Sequence, residues 1–363
     1  MNSIKPNQNR SLYPTWPETS ERFPGYTLLL LIPADLPVFL KIAMQVIGQQ
    51  VTTNCRETIV VPDHYTPKFD SYFEEYKQFW KSGPIRMERL GPIEDLVARK
   101  ADGHARCWMQ IVRGVAATQT EYAIWHDADA FILKPDFFES LYDRCSTEQL
   151  SCLGVNHVWN IDTFAKHGFD RINATWEMTI NVPWMQQWPP KFHLGQMGDV
   201  NGEELIIDIL IAAQMQTPPK KLGRIDLPDS YIHFNYVICD YRRFQNTETF
   251  GDDFFRILLV RLLIDAFDQG NESYEVPHVN DLERGIYSSQ ERVTYTSPVA
   301  VTRYPEFRAR IDRLLTCGLL SLEQSTRMRQ SLQPFDRAFA SNKSLNESTI
   351  GLTEASKATG SGV

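Results

Sequence analysis

Residues 26–32 read YTLLLLI and are followed by a proline. A short, continuous apolar run closed by proline is typical of a strand that is buried on both faces of a parallel sheet. Over residues 36–49, apolar residues recur every three or four positions, which predicts a helix. A second apolar strand, ETIVV, occupies residues 57–61. Strand, helix and strand within about 40 residues predict one βαβ unit.

The alternation continues through the middle of the chain. Apolar strands are predicted at residues 121–126 and 150–155, and helices with one apolar face at residues 103–118 and 137–145. Alternating strands and helices are typical of an α/β fold. The sequence therefore predicts a mostly parallel sheet flanked by helices.

The second half of the chain has weaker patterns. Residues 176–190 are crowded with tryptophan and proline and are predicted to be a loop. Residues 202–214 have helical apolar spacing and follow a glycine-rich segment, so a helix is predicted there. Residues 231–238 are a candidate strand. Helical patterns at residues 252–267 and 305–332 predict a C-terminal helical appendage.

These patterns divide the chain into four parts. We expect a polar N-terminal extension (1–24), a sheet domain that carries the functional site (25–248), a helical C-terminal region (249–340) and a disordered tail rich in Ser, Thr, Gly and Ala (341–363).

Composition limits the partners and the compartment. The net charge is -8, and no basic stripe is present, so we expect no nucleic-acid partner. Six cysteines form neither a Cys-x-x-Cys pair nor a Cys/His zinc spacing. The polar N-terminus lacks the apolar core of a secretory signal, and no apolar run reaches the about 20 residues that span a bilayer. We expect a cytoplasmic protein with free thiols and no transmembrane segment; contact with a membrane surface stays open.

Two aspartates stand where a predicted strand ends. Asp127 and Asp129 form the only Asp-x-Asp triplet in the chain. Carboxylates at a strand end are costly unless they are solvated, paired or bound to a cation, and their oxygens suit Mg²⁺ or Mn²⁺ together with phosphate groups. A divalent-metal site is therefore predicted. The alternative is one aspartate that caps a turn and another in solvent.

The pattern Gly-x-Ala-Arg at Gly103–Arg106, a helix, and then Asp127–Asp129 at the end of the next strand resembles the core of nucleotide-sugar glycosyltransferases with the GT-A fold, notably those of family 2. The spacing from Asp129 to Leu133–Pro135 is similar to that of family 8. The resemblance covers residues 26–145 well and 195–240 weakly. It implies a GT-A-like fold and a metal-dependent transfer of sugar, expected to be inverting, from a nucleoside-diphosphate sugar, with UDP as the expected nucleotide, to a hydroxyl acceptor.

The resemblance implies a metal site for Mn²⁺ or Mg²⁺. Asp127 and Asp129 would hold the cation, with Asp127 also close to the ribose. His233, in a late position similar to a family 8 metal-ligand histidine, would be the third ligand. A hydrogen-bonded core histidine is the alternative for His233.

Donor-binding residues follow from the same resemblance. Ligands bind beyond the carboxyl ends of parallel strands, so Pro33, Asp63 and Asp127 are expected to open on one crevice. Asp63 would contact uracil or ribose, and Arg106 the base or the diphosphate. For Arg106, the alternative is a surface residue at a helix start.

Inverting transfer needs a carboxylate that takes the proton of the acceptor hydroxyl. Glu203 and Glu204, expected in the first turn of the helix after the glycine-rich segment, are the candidates, with Asp199 and Asp208 in reserve. Acidic residues favour a helix start for electrostatic reasons alone, so a purely local role is the alternative. If the reaction is retaining, none of these residues need be the base.

The acceptor and the competing functions stay open. A saccharide, a lipid-linked molecule or a small molecule is expected as acceptor, and the tryptophans Trp176, Trp184 and Trp188 would form either its stacking platform or part of the core. The rival functions are a non-catalytic carbohydrate- or protein-binding module on a degenerate fold of this kind, and a sugar-nucleotide pyrophosphorylase. The second is disfavoured because no glycine-rich loop follows the first strand.

Overall fold

The computed structural model describes residues 12–18, 21–158, 160–247, 254–271, 274–285 and 298–339. These residues belong to two compact units, of which one ends at Asn235 and the other begins at Tyr236. The predicted disordered tail, residues 341–363, lies outside the described part of the chain.

A seven-stranded sheet forms the centre of the first unit. Its strands are β1 (Phe23–Ile32), β2 (Cys55–Pro62), β3 (Ile85–Met87), β4 (Thr120–Asp127), β6 (Cys152–Gly154), β7 (Thr179–Asn181) and β10 (Leu222–Arg224). Their order across the sheet is β10-β6-β7-β4-β1-β2-β3. Strand β7 runs antiparallel to both of its neighbours, while the remaining pairs are parallel. The mostly parallel sheet of the sequence prediction is confirmed.

Two smaller strand pairs accompany the sheet. The short strands β5 (Ala130–Ile132) and β11 (Tyr231–His233) form an antiparallel pair. The strands β8 (Gln196–Val200) and β9 (Glu203–Ile207) form an antiparallel hairpin.

Helices flank the sheet, as the alternating pattern predicts. Those of the first unit are α1 (Pro37–Val46), α2 (Pro67–Tyr76), α3 (Pro92–Ala98), α4 (Gly103–Ala117), α5 (Phe137–Thr147), α6 (Ile161–Lys166), α7 (Val182–Met185) and α8 (Ile211–Met215).

Strand β1 lies between β4 and β2 in the interior of the sheet, and its residues from Leu28 to Ile32 are buried. Helix α4 packs closely on this strand because Gly114 has no side chain: a Cβ there would lie 2.9 Å from Cδ1 of Leu29. On the same helix, the buried Gln110 amide donates hydrogen bonds to the carbonyls of Ile32 and Val61, at 3.3 and 2.6 Å. Helix α4 thus holds together the carboxyl ends of β1 and β2.

The helix predicted over residues 202–214 is wrong for its first half. Residues 203–207 form strand β9, and a helix begins only at Ile211. Asn201 and Gly202 have φ angles of 54° and 88°, as a two-residue type I′ hairpin turn requires. The physical reason for the error is that this turn reverses the chain before any helix begins.

The loop predicted over residues 176–190 is also wrong in part. Residues 179–181 form β7, which pairs with both β4 and β6, and helix α7 follows directly. The candidate strand at residues 231–238 is shorter than predicted, because it ends at His233 and a new helix begins at Val237.

The second unit is helical, as predicted for the C-terminal part of the chain. Its helices are α9 (Val237–Thr247), α10 (Phe254–Phe267), α11 (Val279–Gly285), α12 (Pro298–Thr316) and α13 (322–339). Helix α10 is apolar on almost all sides, which fits a central, buried helix. Phe255 on α10 stacks on Phe307 of α12, with ring centroids 5.0 Å apart, and Phe254 contacts Phe335 of α13.

Among the described residues, none of the helices combines the length and the apolar character that crossing a membrane requires.

Candidate functional site

Three strand ends meet at one edge of the sheet. Strand register places Pro62 beside Ile32 and Asp127 beside Leu31. The residues that follow β1, β2 and β4 therefore leave the sheet side by side, at the edge where parallel sheets bind ligands.

A compact group of three residues that can ligate a metal lies at this edge, and we call it the metal group. It consists of Asp127, Asp129 and His233, whose ligand atoms all lie within 4.8 Å of one another. Nε2 of His233 is 3.1 Å from Oδ1 of Asp129 and 3.8 Å from Oδ2 of Asp127. The structure thus brings together the three residues that the sequence selected as metal ligands.

The short β5–β11 ladder explains how His233 reaches the aspartates. Ala130 of β5 pairs with His233 of β11, and the backbone N–H of Phe234 donates to the carbonyl of Asp129 at 3.2 Å. The strand pairing fixes the backbone of both ligands, so the site does not depend on a free loop.

The electrostatics of this group fit a cation. Burial, together with the charges of Asp129 and Glu177, raises the pKa of Asp127 well above its ordinary value, and the charge of His233 partly opposes the rise. Burial lowers the pKa of His233, but the two aspartates outweigh it, so its pKa is raised overall. A divalent ion would relieve the repulsion between carboxylates. Two carboxylates with an imidazole are a donor set that fits Mn²⁺.

Glu177 supports this group, and the sequence interpretation missed it. Its side chain is fully buried; Oε1 accepts from the backbone N–H of Asp127 at 3.1 Å, and Oε2 from Nδ1 of His126 at 2.9 Å. Its φ angle of 47° lies in the left-handed region, where a residue with a side chain persists only if its surroundings hold it. The available signal was an acidic residue within an apolar stretch, Trp-Glu-Met-Thr-Ile.

Asp63 and Arg106 lie together at the end of β2. Oδ1 of Asp63 accepts from the backbone N–H of Ala34 at 2.9 Å and from Nδ1 of His64 at 2.7 Å. The Arg106 guanidinium is 3.5 Å from Oδ2 of Asp63 and donates to the carbonyl of Ala101. Arg106 is therefore mostly buried and is not the surface residue of the alternative interpretation. Asp63, His64 and Asp35 also form a second group of metal-ligand types.

Glu203 and Glu204 lie on the hairpin strand β9, not in a helical first turn as predicted. Both are exposed, and Oε2 of Glu203 is 3.1 Å from Nε2 of His167. The premise that placed these two carboxylates on a helix is therefore wrong, while their role as base stays a prediction.

Asp208, one of the reserve candidates, lies just beyond the hairpin. Its Oδ1 is 2.9 Å from Nε2 of His104, and its charge contributes to the raised pKa of Asp127. Gly195 leaves room for the imidazole, since a Cβ there would lie 2.2 Å from Nε2 of His104. Asp208 is thus a partly exposed carboxylate that is held by a histidine and is close enough to act electrostatically on the metal group.

The three tryptophans divide between the core and the site. Trp184 is buried and donates to the Thr217 hydroxyl, and Trp188 stacks on Phe192, so both belong to packing. Trp176 instead meets the His233 ring edge to face, with centroids 4.7 Å apart.

No protein-family profile matches the chain, and no curated protein does. The chain resembles several solved structures at low sequence identity. Glucosyl-3-phosphoglycerate synthase from Mycobacterium tuberculosis, solved with Mn²⁺, UDP and glucosyl-3-phosphoglycerate, is 12% identical, with a TM-score of 0.41 over 70% of this chain and 81% of that one. The mannosyltransferase PcManGT from Pyrobaculum calidifontis, solved with GDP-Man and Mn²⁺, is 11% identical, with a TM-score of 0.40 over 97% and 88%. S. aureus TarS 1-349 is 10% identical, with a TM-score of 0.35 over 89% and 92%.

Proposed function

We propose that this chain is a metal-dependent glycosyltransferase that moves a sugar from a nucleoside-diphosphate sugar to a hydroxyl acceptor, with inversion at the anomeric carbon. One observation carries the proposal: Asp127, Asp129 and His233 converge within 4.8 Å at the carboxyl edge of a mostly parallel sheet. That edge is where such sheets bind ligands, and oxygen-rich metal sites of this kind bind substrate phosphates.

These three side chains would hold the cation, which, when bound, neutralises the charge that develops on the leaving diphosphate. We favour Mn²⁺ over Mg²⁺ because His233 offers a nitrogen ligand, whereas Mg²⁺ takes oxygen ligands in near-octahedral geometry.

The donor nucleotide would lie beside the metal group, over the ends of β1 and β2. Asp63 is buried there and carries an acceptor oxygen near the Arg106 guanidinium. We propose that Asp63 accepts a hydrogen bond from the base or ribose, that Arg106 contacts the base or the diphosphate, and that Pro33 lines the same crevice. UDP is our first choice of nucleotide.

The acceptor hydroxyl oxygen attacks the anomeric carbon as the bond from that carbon to the diphosphate oxygen breaks, and a carboxylate takes the hydroxyl proton. Among Glu203, Glu204 and Asp208, we favour Asp208, because its charge reaches Asp127 and because His104 fixes its orientation. The acceptor would be a saccharide, a lipid-linked molecule or a small molecule, and the reaction would take place in the cytoplasm.

A thermal-shift screen of UDP-, GDP-, dTDP- and CMP-sugars, with and without Mn²⁺, tests the donor class. A true donor at about a hundred times its dissociation constant adds ~2.7 kcal/mol of stability. We expect the shift only when Mn²⁺ is present. Release of nucleotide in the presence of acceptor then separates an enzyme from a binding module, and no shift with any of these donors would contradict the proposal.

A further inference from the structure

At Glu177, the backbone hydrogen bonds between β4 and β7 end, and a side-chain hydrogen bond takes their place. The ladder pairs Ile124 with Thr179, and the backbone N–H of Trp125 still donates to the carbonyl of Met178 at 3.2 Å. At Asp127, the acceptor is no longer a carbonyl but Oε1 of Glu177. The last residue of β4 is thus held by a carboxylate.

This carboxylate also fixes the residue before the metal group. Its second oxygen accepts from Nδ1 of His126, at 2.9 Å, and both side chains are almost completely buried. A carboxylate whose two oxygens hold neighbouring residues of one strand restrains that strand in both position and rotation.

The preceding residue, Trp176, contacts the third member of the metal group. The Trp176 ring contacts the His233 ring edge to face, while Glu177 holds the backbone of Asp127. The consecutive residues Trp176 and Glu177 therefore contact His233 and Asp127, two members of the metal group that are distant in the sequence.

We infer that Glu177 is a positioning residue for the metal site: it holds the Asp127 backbone and His126, so that the carboxylates of Asp127 and Asp129 face His233 in the arrangement that binds a divalent cation. The inference rests on the proposed metal site. Outer partners of metal ligands act in this way, and their loss costs about 10–100-fold in metal affinity.

Glu139, on helix α5, supplies a matched control because it also holds residues of the central sheet. It is also buried and accepts hydrogen bonds from the Tyr26 hydroxyl and from the backbone N–H of Asn54, at 2.9 and 3.0 Å. Those partners stand at the amino ends of β1 and β2, at the opposite edge from the metal group. Glu139→Ala therefore removes a comparable buried carboxylate without touching the site.

The test is a titration with Mn²⁺ alone, followed by electron paramagnetic resonance of the free ion, in wild type, Glu177→Ala, Glu177→Gln and Glu139→Ala. Glu177→Ala should weaken Mn²⁺ binding about tenfold or more, while Glu139→Ala should bind as wild type does. Glu177→Gln keeps an oxygen for the Asp127 N–H and should recover most of the affinity. Hydrogen exchange of the peptide that covers residues 124–130 should rise in Glu177→Ala and not in Glu139→Ala.

Each other outcome overturns the inference. Unchanged Mn²⁺ affinity in Glu177→Ala, or equal losses in Glu177→Ala and Glu139→Ala, would show that Glu177 does not position the site. A loss in Glu177→Gln as large as that in Glu177→Ala would assign the effect to charge. If Glu177→Ala does not fold, Glu177→Met, which keeps the volume and accepts no comparable hydrogen bond, takes its place. If the wild-type protein binds no Mn²⁺, the result would instead contradict the proposed metal site itself.

Discussion

Asp129 is the more buried of the two aspartates, and its side chain lies against His233. Asp129→Asn preserves the shape of the side chain and removes its charge, so the fold should persist while the cation loses a ligand. We expect Mn²⁺-dependent nucleotide binding to disappear in calorimetry, with a midpoint of unfolding close to that of wild type. The exposed Asp170, changed to Asn, serves as control, and unchanged affinity in Asp129→Asn would refute the site.

Asp208 is the residue that we propose as catalytic base in preference to Glu203 and Glu204. If it takes the acceptor proton, Asp208→Asn should lower kcat by about 10²–10⁴-fold while the affinity for the donor stays the same. Glu203→Gln and Glu204→Gln, on the exposed hairpin, should retain near-wild-type kcat. The opposite ranking in steady-state assays would return the role to the hairpin. Full activity in all three variants would mean that the base is another residue, such as Asp199, or that the reaction is retaining.

Site residues that directly follow a predicted strand could be identified from the sequence. Asp127 and Asp129 stand directly after an apolar strand, so their place could be predicted from that strand alone. His233 was found only through a family resemblance, because it reaches the site by pairing with β5. The local signal for Glu177 was weak, a single acidic residue in an apolar stretch. Its partners are about 50 residues away along the chain, and its position depends on the pairing of β7 with β4.

The hairpin of β8 and β9 is the element that sequence patterns misplaced. Leu205, Ile206, Ile209 and Leu210 lie at spacings of three and four, which predicted a helix. Yet Asn201-Gly202 is the strongest short signal for a two-residue hairpin turn, and it stands directly before them. The turn determined that a hairpin forms here. The apolar residues have helical spacing only because some of them lie on strand β9 and the others follow its end.

Gly202 therefore has a measurable role in this turn. Its φ of 88° is unfavourable for a residue with a Cβ, although a Cβ there would meet no neighbouring atom within 4 Å. Gly202→Ala should lower the free energy of unfolding by about 1–2 kcal/mol through backbone strain alone. Urea unfolding measures the change. Asn201→Gly, which suits the same turn, should cost less; equal costs would contradict the turn assignment.

At the scale of the whole molecule, the fold of the first unit could be predicted from its sequence because its strands are buried apolar runs separated by amphipathic helices. Such runs can be recognised from the local sequence, without knowledge of contacts between distant residues. The antiparallel strand β7 escaped prediction because it has only three residues and lies among tryptophans and prolines. Its place depends on two partner strands that are distant in sequence, and short elements of that kind carry little periodicity of their own.

Stability of the whole protein should fall in acid partly through His193. Burial lowers the pKa of this histidine to about 4, so between that value and its ordinary pKa of 6.5 the unfolded chain binds a proton that the folded chain does not. The free energy of unfolding therefore decreases as pH falls through this window, by about 2 kcal/mol between pH 7 and pH 5. Urea unfolding at the two pH values measures this loss.

His193→Gln is the control for this pH dependence. The variant has no titrating group at that position, so it should lose less stability than wild type over the same pH interval, whatever its stability at pH 7. Equal losses in the two proteins would show that His193 titrates at its ordinary pKa in the folded state.

Asp129 and His233 lie 104 residues apart in the chain, and this separation has a consequence for folding. A growing chain cannot bring these residues together until His233 has been synthesised. Closing a loop of that length costs entropy that only later contacts return. The rate at which Mn²⁺ becomes bound during refolding would therefore follow the pairing of β5 with β11. The cation would cross-link two residues that are far apart in the chain. Its removal should therefore speed unfolding more than it slows early collapse.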